Sequence, residues 1–289
     1  MKATILLVLM LLPLSAFADY DSNGFMPSGS YADVFHGTGT DAITINVLNT
    51  FSCSYSDQIL GLDYSSGLDV LVFISNTDDM MYSCDPDNGN KLGELALTYT
   101  ADPDQFGVCV DLVGNCYFND YEQNHMYWWD TSVWHLMTNP IGDDGRGMDF
   151  DGNRIWETHN WTTKQIVNFN TDGSGLQYFD IPELGLAQPS GLTTFPFGSD
   201  LGIMVTAYGT HNFYFYSFDG STLTSLGFVP CPLSCTVSMG LAYSSTRDTF
   251  FWSYGDASSG YCITELDIEI TGSAFTPGTW GSIKTVDFN

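Results

Sequence analysis

The chain has 289 residues, 44% of them hydrophobic and 15% aromatic, with 7 Lys and Arg against 34 Asp and Glu and a formal net charge of −27. That apolar content excludes a disordered chain. The charge excludes a general nucleic-acid binder, which needs a basic footprint for the phosphates, and disfavours anionic membrane surfaces.

At the N-terminus Lys2 precedes an apolar run from Ala3 to Phe17, which closes on the small-x-small sequence Ala16-Phe17-Ala18. This pattern predicts a signal peptide over 1–18, cleaved after Ala18, and a secreted or periplasmic chain. The run is short of the ~20 residues a membrane span requires, so no membrane insertion is expected. Residues 19–42 read as an N-terminal extension, and 43–289 as one domain.

Ile43 to Phe51 reads as a strand. Five openings follow in which glycine and an apolar residue start a short strand: Gly61-Leu62-Asp63-Tyr64, Gly107-Val108-Cys109-Val110, Gly147-Met148-Asp149-Phe150, Gly191-Leu192-Thr193-Thr194 and Gly240-Leu241-Ala242-Tyr243. Their spacings are 46, 40, 44 and 49 residues. A second strand follows each opening, as in Val70–Ile74 or Arg154–Trp156. A third follows in turn, as in Met80–Cys84 or Phe213–Tyr216, before a breaker turn such as Asp85-Pro86-Asp87-Asn88-Gly89. Several of these strands are apolar on both faces, as a sheet packed between two others requires.

A period near 45 with several short strands per unit predicts an all-β β-propeller. We read five blades, with the strand before the first unit closing the last blade so that no edge stays open. The rival is a six-bladed ring in which residues 19–60 and 273–289 build a degenerate sixth blade. The Gly-Leu-Asp-Tyr-Ser-Ser and Gly-Leu-Ala-Tyr-Ser-Ser openings resemble those of secreted bacterial β-propellers of the NHL, YVTN and quinoprotein-like kind over about residues 43–272. A weaker likeness, in blade number and opening strand, is to five-bladed plant-type glutaminyl cyclases. Such motifs specify blade geometry, so no functional residue is carried over from them.

The excess of Asp over Glu fits a turn-rich β protein, because an aspartate side chain bonds its own backbone. Three histidines fall between second and third strands of successive units: His125, His159 and His211. Blades around one axis place equivalent loops on one rim, so these are candidate ligand-binding residues together with Glu122, Glu157 and Asp120. They suit a His-bound divalent metal or acid/base chemistry. Asp63 and Asp149 share a repeat position on the first strand, where two carboxylates could meet a cation such as calcium. The alternative is that each bonds a neighbouring blade's backbone. The run Asp143 to Asn153 is a partial calcium motif. Trp161, in the sequon Asn160-Trp161-Thr162, is the tryptophan expected to be exposed, where a sugar could stack.

Seven cysteines in an exported chain predict disulfides. Cys109 and Cys116 flank a tight turn, and Cys231 and Cys235 share a short loop, so these two pairs are the expected bridges. Cys53, Cys84 and Cys262 are left unassigned. The functional expectation is a non-catalytic binding or interaction module for an extracellular protein, a carbohydrate or a small molecule. The alternative is a metal-assisted hydrolase or lyase using the loop histidines.

Overall fold

The computed structural model describes residues 30–31, 42–99, 105–120, 123–159, 164–185, 187–257 and 259–271. A two-residue strand, β1 (Ser30–Tyr31), and a long one, β2 (Ala42–Ser52), precede the repeats. The first blade is β3 (Leu62–Ser65), β4 (Val70–Ser75), β5 (Met80–Cys84) and β6 (Lys91–Ala96). The second is β7 (Gln105–Val110), β8 (Cys116–Asp120), β9 (His125–Trp129) and β10 (Trp134–Thr138). The third is β11 (Gly145–Phe150), β12 (Ile155–His159), β13 (Gln165–Phe169) and β14 (Gln177–Asp180), and the fourth is β15 (Gln188–Phe197), β16 (Asp200–Tyr208), β17 (Asn212–Phe218) and β18 (Leu223–Pro230). The fifth contains β19 (Val237–Ser244), β20 (Thr249–Asp256) and β21 (Gly260–Thr271).

Each blade is an antiparallel meander, and β2 pairs with β21 to supply the fifth blade's outer strand. Five sheets result, so the ring has five blades and the six-bladed rival is excluded. The expected signal peptide and the tail from Ser273 lie outside the described residues, as does the extension over 19–42 apart from Ser30, Tyr31 and Ala42. Among the described residues no helix is long and apolar enough to cross a membrane.

The opening glycines set the ring's inner radius. A Cβ on Gly61 would stand 2.5 Å from the Phe106 carbonyl oxygen, and one on Gly240 would stand 2.5 Å from that of Leu60. Likewise Gly107 abuts Arg146, Gly147 abuts Gly191 and Leu192, and Gly191 abuts Met239 and Gly240. Every opening glycine thus lets the next blade's backbone approach the axis, in cyclic order.

Register slips at four of these openings, between Gln105 and Val108, Gly145 and Met148, Pro189 and Leu192, and Ser238 and Leu241. A bulge leaves an amide without a ladder partner, and a buried amide needs one. The adjoining strand provides it: Gly107 N donates to Asn119 Oδ1 at 2.6 Å, Gly147 N to Thr158 Oγ1 at 3.0 Å, and Gly240 N to Ser253 Oγ at 2.7 Å.

The aspartates behave as turn formers. Asp85, Asp111, Asp130, Asp151, Asp172 and Asp219 each accept the backbone N–H two residues on, at 2.8–3.0 Å. Arg247 joins the fifth blade to the first, donating to Asp87 at 2.5 Å and to Asp69 at 3.5 Å. Between blades the cores are apolar, with Trp156, Trp252, Phe73, Phe118, Phe169 and Phe251 fully buried.

Candidate functional site

The inner strands bring one residue per blade to the axis: Asp63, Cys109, Asp149, Thr193 and Ala242. Asp63 accepts from Tyr64 N and, across the blade boundary, from Val110 N, both at 2.6 Å. Asp149 repeats the device two blades on, accepting from Thr194 N and its hydroxyl and from Phe150 N. Each carboxylate therefore clasps its blade to the next, the backbone bonding that the sequence offered as the alternative. Burial pushes both acids up, Asp149 to about 6, and the Asp149 charge raises Asp63 further.

A third buried carboxyl stands between the second and third blades. Glu157, on β12, accepts from Asn119 Nδ2 at 2.7 Å and Asn139 Nδ2 at 3.1 Å through Oε1. Its Oε2 is buried without a hydrogen-bond partner. Burial raises this acid to about 7, against the pull of the two amides and of Arg146. Gly145 leaves it room, since a Cβ there would fall on Oε1. The side chain is 0% exposed, so a substrate has no direct route to it.

His125, His159 and His211 stand at the connections from β8 to β9, β12 to β13 and β16 to β17, on one rim. They do not converge on an ion: among the described residues no three His, Cys, Asp or Glu side chains are grouped to hold one. His125 Nδ1 instead lies 3.3 Å from the Tyr127 hydroxyl. The partial calcium motif is divided in the same way, because Asp149 turns to the axis while Asp151 accepts from Asn153 N, Arg154 N and the Trp156 indole. Asp120 ends β8, fully buried, and accepts from Gln123 N at 3.1 Å. Glu122 and Trp161 lie outside the described residues.

The expected Cys109–Cys116 bridge is corrected by the register. Cys109 lies opposite Tyr117, and Cys116 lies opposite Val110. Side chains alternate along a strand, so the two sulfurs point to opposite faces and into different cores. The Cys231 and Cys235 thiols lie near enough to shift one another's titration, Cys231 up and Cys235 down.

What sequence reading missed is an open cleft of about 90 Å³ between the first and second blades. Leu68, Val70, Val72, Met81, Leu95, Val110 and Trp129 supply apolar wall. The core stops short here because small residues (Ser65, Ser83, Gly93, Gly114, Cys116 and Thr131) face one another across the gap. The Trp129 indole N–H is buried without a partner. Exposed Leu68, Leu112, Val113 and Val133 lie on the turns of these same two blades. A run of small residues on facing strands was the available signal, but it is legible only once blades are assigned to neighbours.

No family model matches the chain, and no curated protein matches it. Solved structures do. Glutaminyl cyclase from Myxococcus xanthus superposes with a TM-score of 0.60 at 10% identity, covering 78% of this chain and 97% of that one. A chain of a nidogen/laminin complex gives 0.51 at 14% identity, covering 68% and 72%. A virginiamycin B lyase from Staphylococcus aureus gives 0.47 at 13% identity, covering 72% and 65%. At these identities the first two are similar in fold alone: this chain is a five-bladed β-propeller.

Proposed function

We propose that the protein is a non-catalytic, exported binding module that takes a small apolar ligand into the cleft between its first two blades. The carrying observation is that cleft, walled by Leu68, Val70, Val72, Met81, Leu95, Val110 and the Trp129 ring. Such a site suits a ligand with a largely apolar body. With a net charge of −27, an uncharged or cationic ligand is favoured over an anion.

A catalytic reading draws on Glu157, whose orphan oxygen and near-neutral titration suit a general acid or base. Its complete enclosure argues against substrate contact. The loop histidines and axial aspartates do not assemble a site that would favour the metal-assisted alternative.

The uncharged dye Nile red tests the binding reading. Saturable fluorescence enhancement is expected for the wild type, weakened at least tenfold in Ser65→Trp, which places a large ring at the partly exposed cleft mouth. Equal binding by both proteins, or enhancement that never saturates, would refute the assignment of the cleft.

A further inference from the structure

We propose that Cys53 and Cys84 form a disulfide that fastens the seam of the ring. Cys53 directly follows β2, the strand donated to the fifth blade, and Cys84 ends β5 of the first blade. The two thiols lie near enough to shift one another's titration, Cys53 down and Cys84 up. They share one buried core with Ile59, Leu71, Phe73 and Tyr82.

Other contacts hold the two segments together independently of the sulfurs. Asn49 Nδ2 donates to the Asp87 carbonyl at 2.7 Å, and the Tyr55 hydroxyl donates to that of Gly89 at 3.1 Å. Gly89 admits the Phe51 ring, which would stand 2.5 Å from a Cβ there. The segment around Cys53 is thus seated on the turn that follows Cys84.

No other cysteine competes for this pairing. Cys262 lies opposite Ser52 and packs with Trp252 and Tyr254 in a different core, so it faces away from Cys53. Cys109 and Cys116 are buried in two further cores. Cys231 and Cys235 face one another.

The bond requires a two-electron oxidant, and a disulfide such as oxidised glutathione suffices. One thiolate attacks it, forming a mixed disulfide and releasing one glutathione thiolate. The second cysteine, on losing its proton, displaces the other glutathione. Two protein thiols and one glutathione disulfide give one protein disulfide and two glutathione thiols. Both sulfurs are buried in the closed ring, so the exchange completes as β2 docks, and the finished bond is shielded from reductant.

The test refolds the full protein from denaturant in the presence of glutathione disulfide, then alkylates it with iodoacetamide in denaturant and digests it without reduction. A linked Cys53–Cys84 peptide is expected, with Cys109, Cys116 and Cys262 alkylated. Full reduction should lower Tm by about 10 °C. Cys84→Ala alone strands a thiol in the core, so a failure to fold would not isolate the loss of the bond. The double variant Cys53→Ala/Cys84→Ala leaves none stranded and should melt near the reduced wild type. Recovery of both cysteines fully alkylated, or of Cys53 linked to any other cysteine, overturns the proposal. Linkage of Cys231 to Cys235 in the same map is a separate event and does not bear on it.

Discussion

Gly107→Ala is expected to abolish folding, whereas Gly67→Ala is expected to be nearly silent. The added methyl at Gly107 falls on the backbone carbonyl of Arg146 in the third blade and lies 3.0 Å from Asn119 Nδ2. Backbone cannot rotate aside as a side chain can, so the second and third blades must separate at the axis. In a five-membered ring that displacement spreads to every inner strand, since each is wedged against the next. The cost is more than about 4 kcal/mol, against a total stability of about 5–15 kcal/mol for a domain. Gly67 occupies a turn with nothing within 4 Å of the added carbon, so alanine there changes stability by no more than about 0.5 kcal/mol. Soluble yield and thermal denaturation followed by circular dichroism decide the matter. A folded Gly107→Ala protein melting within a few degrees of wild type would refute the close-approach account of the ring.

Glu157→Gln is expected to stabilise the protein at pH 8 and to flatten its pH dependence. Burial lifts this acid from an ordinary 4.5 to about 7. Between those values the folded protein holds a proton that the unfolded chain has released, so stability is fully present below about 4.5 and is lost as pH rises through 7. At pH 8 the ionised, half-satisfied carboxylate costs on the order of 3 kcal/mol. Glutamine removes the charge and keeps an oxygen for Asn119 and Asn139, but it places an unpartnered amide where Oε2 stands. The net gain is about 1–2 kcal/mol, or a Tm rise of roughly 3–6 °C at pH 8 that disappears near pH 5. Asp149, raised to about 6 by the same burial, leaves a smaller slope of the same sign in the variant. A variant no more stable than wild type at pH 8 would show that Glu157 is better solvated than its enclosure implies.

The architecture was legible because its main constraint falls on a single residue type. Glycine recurs near every 45 residues since only glycine lets five inner strands meet at the axis, and this periodicity survives where other similarity between blades does not. The aspartate surplus was legible for a comparable reason, as each Asx turn is local in sequence. The site was harder to read because it depends on which blade faces which. Asp63 and Asp149 were found by their shared column, yet a column does not reveal that the acceptor is spent on Val110 or Thr194 of the next blade. Cys109 and Cys116 seemed paired across a turn, but parity along the strands sends them to opposite faces. Cys53 and Cys84 meet only after the ring has closed, and the cleft beside Trp129 arises from small residues contributed by two units.

The pairing of β2 with β21 also orders events in time. Thr50 and Thr264, whose hydroxyls meet at 2.8 Å, are separated by 214 residues. At about 5–20 residues per second, roughly 10–40 s of synthesis passes before β2 can meet β21. During that interval β2, with Ile43, Ile45 and Val47 destined for the core, has no sheet to join. A nascent chain of this design must be sheltered at its leading end while the blades accumulate behind it. Moving the β2 segment to the other end of the gene should shorten that exposed interval without altering the finished ring.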